Sequence, residues 1–246
     1  MTGRRPFAAE DGFTLVELLV ALFIGTLVLL ATFNIFDAGQ RAAFSHQNRS
    51  DAVQQGRNAM EQLTQELHSQ VCLGQDPNTG LSIPAVISGD DNSITFYADM
   101  NADTGTGFVP QKRQIVFTPQ GQVWEYTWYG SGTAPNTTYK INPDRSRMLL
   151  SNVQHVVSNG NPVPYLQYFG FTGTSPITPS LAFSTPLSTG ANGDAAHVVQ
   201  IGVNFAVPVK GVGNSPPVGA QTVPFQSYTY VRTADPNDPT HSPECL

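Results

Sequence analysis

Glu17 sits in the run GFTLVELLVALFI and is the only formally charged residue between Phe13 and Phe36. A carboxylate inside such an apolar run costs up to about 3 kcal/mol, less near an end, and is kept where it has a partner or a task. Two other constellations carry ligand chemistry. Asp99, Asn101 and Asp103 place oxygen atoms at alternate positions, as the first half of an EF-hand loop does. The sixth place is Thr104 and the twelfth Pro110, where that loop needs Gly and Glu. A standard EF-hand is thereby excluded, leaving a looser calcium site or a solvated loop of Asp and Asn turns. Cys72 and Cys245 are the only cysteines, and His68 and His241 each precede one of them by four residues. Two His-x-x-x-Cys pairs could form a tetrahedral zinc site, the cysteines could join in a disulfide, or they could stay as unlinked thiols.

Other chemistry finds little support in the sequence. There is no G-x-S-x-G, no H-E-x-x-H and no phosphate-cradling G-x-x-x-x-G-K-[ST]. The histidines are scattered and no paired carboxylates stand out, so an anchored enzyme is only a remote reading. Tyr139, Lys140, Arg145 and Arg147 make a short basic and aromatic patch that could touch a phosphate backbone. The whole chain has a net charge of -6, which argues against nucleic acid as its main partner.

The elements that must position these residues follow from pattern. From Phe13 to Phe36 a helix would reach ~36 Å, enough to cross a hydrocarbon layer of ~30 Å. Residues 37–71 hold no proline and are rich in Ala, Gln, Glu and Arg, so the helix should continue to about Val71, for a total of ~88 Å. Val53, Gly56, Met60, Leu63, Leu67 and Val71 recur at spacings of three and four, one amphipathic face for packing against the protein's own sheet. Gly56 would let that sheet come close. No domain of this size can bury the whole helix, so the first half is expected to project. Ala21 and Gly25 would allow close helix contact.

Beyond Cys72 the pattern changes. Only 12% of residues are charged, and the 22 Gly and 19 Pro suit a loop-rich β domain. Strands are predicted at 93–98, 114–118, 122–129, 164–172, 197–207 and 223–232, with a hairpin turn at Pro119-Gln120-Gly121. The stretches 173–195 and 208–221 read as Ser, Pro and Gly loops. The expected fold class is α+β, a long N-terminal helix packed on an antiparallel sheet.

Gly12-Phe13-Thr14-Leu15-Val16-Glu17, behind a short leader with Arg4 and Arg5, closely resembles the class III signal of type IV prepilins and pseudopilins. The order of the later segments, from QGRNAMEQLTQELHSQV through SITFYADMNAD and QIVFTPQGQVWEY to YTYVR, is similar to PilW-like minor pilins and the large J-type minor pseudopilin. The resemblance implies four parts. Residues 1–12 are a leader, 13–36 the membrane and filament-core half of the helix, 37–71 its amphipathic half, and 72–246 an extracytoplasmic β-rich domain.

It also implies that a prepilin peptidase cuts between Gly12 and Phe13 and methylates the new amine. Glu17, four residues from Phe13 and so on the same helical face, would meet the amine of a neighbouring subunit as the helix leaves the bilayer. Other pilins or pseudopilins, the inner-membrane assembly platform and the membrane are the implied partners. A chain this bulky suits a minor component, with a DNA-uptake or adhesion subunit that binds a ligand as the alternative within the same family. Placement outside the cytoplasm favours the Cys72–Cys245 disulfide among the three cysteine readings, because it would pin a proline-rich tail that has no apolar run to hold it.

Overall fold

The computed structural model describes residues 14–99, 109–171, 181–190, 193–211 and 221–232. The chain divides into two compact units, residues 1–47 and 48–246. One helix, α1 (Leu15–His68), contributes to both, and its helical hydrogen bonding runs without a break through Asn34 and Gly39. Every described residue of the first unit is exposed. A helix apolar on all sides needs lipid or other helices around it, and α1 is long and apolar enough to cross a membrane.

In the second unit the helix buries Ala52, Gly56, Ala59, Leu63, Glu66 and Leu67. This face is rotated from the expected stripe, since Val53, Met60 and Val71 are only half-buried. Small residues lead it, and they set how near the sheets can come. A Cβ on Gly56 would stand 2.0 Å from Cε2 of Phe225, so the glycine is what admits that ring.

The helix also stops three residues earlier than expected. Ser69 turns back on the last turn, its N–H donating to the Glu66 carbonyl at 3.1 Å and its hydroxyl to the same oxygen at 2.7 Å. Gln70 then bridges Ala98, and the Val71 N–H donates to the Tyr97 carbonyl at 3.0 Å. Sheet partners satisfy this backbone where the helix would have left its last carbonyls open.

Two small strands, β1 (Gly74–Gln75) and β2 (Ser82–Ile83), pair with each other. A five-stranded antiparallel sheet follows in sequence order: β3 (Val86–Gly89), β4 (Ser93–Ala98), β5 (Gln111–Phe117), β6 (Gln122–Tyr129) and β7 (Arg145–Ser151). The short pair β8 (Val157–Ser158) and β9 (Asn161–Pro162) leads to β10 (Leu166–Gly170) and β11 (Leu181–Ala182). A 3-10 turn, Asp194–His197, precedes β12 (Gln200–Pro208) and β13 (Thr222–Tyr230). The second sheet is four-stranded, in the order β11-β10-β12-β13. The fold is α+β, with one long helix packed on antiparallel sheets, as the sequence pattern indicated.

The core lies between these layers. Phe117 at the end of β5 stacks on Tyr165 at 4.6 Å and lies 6.4 Å from Phe205 of β12, which stacks on Phe225 of β13 at 5.4 Å. The β3–β4 turn joins the two sheets. Asp90 closes it by accepting the Asn92 N–H at 2.7 Å and the Ser93 N–H at 2.6 Å. The buried Tyr168 hydroxyl reaches the Asp90 and Ser93 carbonyls at 3.0 and 2.9 Å.

The predicted turn at Pro119-Gln120-Gly121 is present, with the Thr118 N–H donating to the Gln122 carbonyl at 2.8 Å. Gly121 has φ 71°, and a Cβ there would lie 2.6 Å from the Val153 carbonyl oxygen. Several predicted boundaries shift. β5 begins at Gln111 rather than Gln114, and His197 belongs to the 3-10 turn rather than to β12. β3 and β7 were not foreseen, nor was β11 inside the stretch expected to be a loop.

Candidate functional site

The start of α1 holds the first candidate site. The Thr14 N–H donates to Glu17 Oε2 at 3.0 Å, its hydroxyl donates to the same oxygen at 2.9 Å, and the Glu17 N–H donates to Thr14 Oγ1 at 3.3 Å. This reciprocal pair is a capping box, in which two residues three apart satisfy each other's orphan N–H groups. Its signature, T-x-x-E, is legible in the sequence but lay hidden behind the unusual charge. Both bonds to the carboxylate end on Oε2, so Oε1 has no hydrogen-bond partner among the described residues. Gly12 and Phe13 lie outside the described residues.

The second candidate is a cluster that the sequence reading missed. Glu66 on the buried face of α1 meets Arg113 of β5, Glu125 of β6 and Arg147 of β7. Arg113 Nη1 donates to Glu66 Oε2 and, at 2.9 Å, to Glu125 Oε1. Arg147 Nε donates to Glu125 Oε2 at 3.0 Å, and its Nη2 lies 3.5 Å from Glu66 Oε1. Four charges thus alternate in a closed ring. Gln111 Oε1 accepts from Arg113 Nη2 at 2.9 Å, and Gln62, with its amide turned so that oxygen faces the guanidinium, accepts from Arg147 at 2.7 Å.

Burial pushes the Arg113 pKa down, while the neighbouring Glu125 acts the other way. A cavity of about 270 Å³ adjoins the ring, with Thr127, Tyr129 and Arg145 completing its wall. The cluster can fasten helix to sheet. No hydrophobic periodicity could have found it, because each of its members reads as a surface charge in isolation.

The ring also recasts the basic patch. Arg147 is held by Glu125 and Glu66, and Lys140 by Asp144. Lys140 and the Tyr129 N–H hold the Asp144 carboxyl below the usual carboxylate range. Tyr139 instead stacks on Tyr97 at 5.8 Å, and its hydroxyl donates to the Pro110 carbonyl at 3.2 Å. Tyr139, Lys140 and Arg147 are thus held in separate contacts, while Arg145 lines the cavity beside Arg147.

The remaining expected sites are only partly described. The Asp99 N–H donates to the Ser69 carbonyl at 2.9 Å, while Asn101 and Asp103, the other candidate calcium ligands, lie outside the described residues. Cys72 is half-buried against the core, and Cys245 and His241 lie outside the described residues. His68 and Cys72 do not share a helical face, since α1 ends at His68. That removes the geometric argument for the zinc reading. Among the described residues no group of three His, Cys, Asp or Glu side chains is placed to hold a metal ion.

No curated protein matches this chain. Residues 8–33 match the prokaryotic N-terminal methylation motif. Together with the long apolar helix that this segment opens, the match supports a type IV pilin-like protein, processed at its N-terminus by a prepilin peptidase, anchored in a membrane, and structural in role.

Proposed function

We propose that the chain is a minor subunit of a type IV pilus or of a type II secretion pseudopilus. It enters the cytoplasmic membrane as a single-pass protein with residues 72–246 outside the cytoplasm. Prepilin peptidase cuts after Gly12 and methylates the Phe13 amine, and the assembly platform passes the subunit into a filament through α1. The observation that carries this reading is the half-used carboxylate of Glu17. Oε2 closes the capping box while Oε1 is left to accept from the amine of a neighbouring subunit. In a bundle of packed helices such an ion pair is far stronger than in water. The length of the globular part supports a minor over a repeated subunit. A DNA-uptake role is disfavoured because Arg147 and Lys140 are already engaged by carboxylates.

Mass spectrometry of the purified protein tests the processing, and the expected mass is that of a chain beginning at N-methylated Phe13. An intact Met1 terminus in cells that contain a prepilin peptidase would overturn it. Glu17→Ala should still be cleaved but be largely missing from sheared filaments, with Glu17→Asp intermediate. Wild-type incorporation of Glu17→Ala would remove the role assigned to the carboxylate.

A further inference from the structure

One face of the five-stranded sheet buries Ile94, Phe96, Ile115 and Val123 against the core. Strand alternation therefore sends the intervening side chains to the opposite face, and the register sorts them into rows. Tyr97, Lys112 and Trp128 form one row, Thr95, Gln114, Tyr126 and Ser146 the next, and Ser93, Val116, Trp124 and Met148 the third. Along β6 the rings stand in file, Trp124 to Tyr126 at 6.3 Å with 18° between planes and Tyr126 to Trp128 at 6.4 Å. Lys112 Nζ lies 4.4 Å from the Trp128 ring centroid and 5.5 Å from that of Tyr139, which carries the aromatic file on to Tyr97.

We propose that this face binds an uncharged, extended polysaccharide. A pyranose ring presents an apolar C–H face, which stacks on an aromatic ring, and a rim of hydroxyls, which needs donors and acceptors beside that ring. The rows supply both. Trp124 and Tyr126 are half-exposed, and Gln114, Thr95 and Ser146 flank them. Neither the Gln114 amide nor the Tyr126 hydroxyl is hydrogen-bonded among the described residues. Gln122 Oε1 accepts from Trp124 Nε1 at 2.9 Å and the Ile141 carbonyl from Trp128 Nε1 at 3.4 Å, so the indoles are held in orientation.

Charge selects the class of ligand. Lys112 is the only charged side chain in these rows, and it already lies over two rings. A polyanion such as single-stranded DNA needs a cationic groove beside its stacking platform, which this face lacks in a chain of net charge -6. The core of a protein interface would be more apolar than a middle row of Thr, Gln, Tyr and Ser.

The site is separate from the N-terminal apparatus, so filament incorporation is not its readout. The full-length mature protein, held in a detergent without a sugar head group, is mixed with cellulose, chitin and cross-linked dextran and sedimented. Retention on at least one of these is expected, falling tenfold or more in the Trp124→Ala/Tyr126→Ala double variant. Gln114→Glu, which leaves the rings in place but brings a negative charge among them, should also weaken retention. Tyr228→Ala on the other sheet should not. Retention on none of the three, equal retention of the double variant and wild type, or retention on DNA-cellulose alone would each overturn the proposal.

Discussion

Glu66 of α1 and Arg113 of β5 form an ion pair whose side chains keep only 7% and 10% of their exposure. The pair joins the helix to the sheet across 47 residues of sequence. Removing one member of a buried pair leaves an unbalanced charge, which generally costs about 3–5 kcal/mol, whereas replacing both members by apolar groups is often neutral. Glu66→Ala should therefore destabilise the globular part by about 3 kcal/mol, tempered because Glu125 still faces Arg113. Glu66→Leu combined with Arg113→Met should recover most of that loss. Denaturant unfolding followed by tryptophan fluorescence checks both. If the double variant is no more stable than the single one, the ring is not an electrostatic fastener.

A second prediction concerns the close approach at Gly56. Its substitution by Ala puts a methyl group where the Phe225 ring now lies, so the ring or the helix must shift, at a cost of about 1–3 kcal/mol. Phe225→Leu in the same chain should restore part of the loss. The measurement is the unfolding midpoint of the two variants against wild type. An unchanged midpoint in Gly56→Ala would mean that the contact yields freely.

The cysteines allow a test of a different kind. Cys72 is not a free thiol, which supports the pairing with Cys245 that we propose. In the chain-entropy model a loop of this length is worth roughly 5 kcal/mol, an upper figure. Non-reducing mass analysis should show the loss of two hydrogens with no bound metal, and Cys245→Ser should lower stability and expose the tail to protease. Free thiols with one equivalent of zinc would sink the disulfide.

The buried phenols predict behaviour at alkaline pH. Burial raises the pKa values of Tyr97, Tyr139, Tyr165 and Tyr168, with Asp90 and Asp91 adding to the rise at Tyr168. A folded pKa above the unfolded value of about 10 means that the neutral phenol is favoured in the native state. This stability is fully present below pH ~10 and is lost as pH rises through the folded values. Absorbance at the phenolate band should therefore show these four ionising late, in step with unfolding. Tyr168→Phe should shed part of the alkaline sensitivity. An early, reversible titration of all tyrosines without unfolding would contradict the burial.

The sequence by itself determined the parts that rest on local chemistry. The apolar run with Glu17, the helix beyond it, the Pro119-Gln120-Gly121 turn and the cores of β4, β5 and β6 all follow from composition, period and turn residues. The tertiary structure decided what depends on distant partners. It ended α1 at His68 because Gln70 and Val71 found sheet partners at Ala98 and Tyr97. It turned the buried face toward Ala52, Gly56 and Ala59, because small residues allow the close approach that large ones forbid. β5 extends back to Gln111 and β7 pairs with β6, and on these strands Arg113 and Arg147, which look like solvent-facing charges, are met by Glu66 and Glu125. A hydrophobic pattern cannot signal a charge that is buried with its counter-charge, since the two members lie far apart in sequence and meet only when the helix and three strands are already in place.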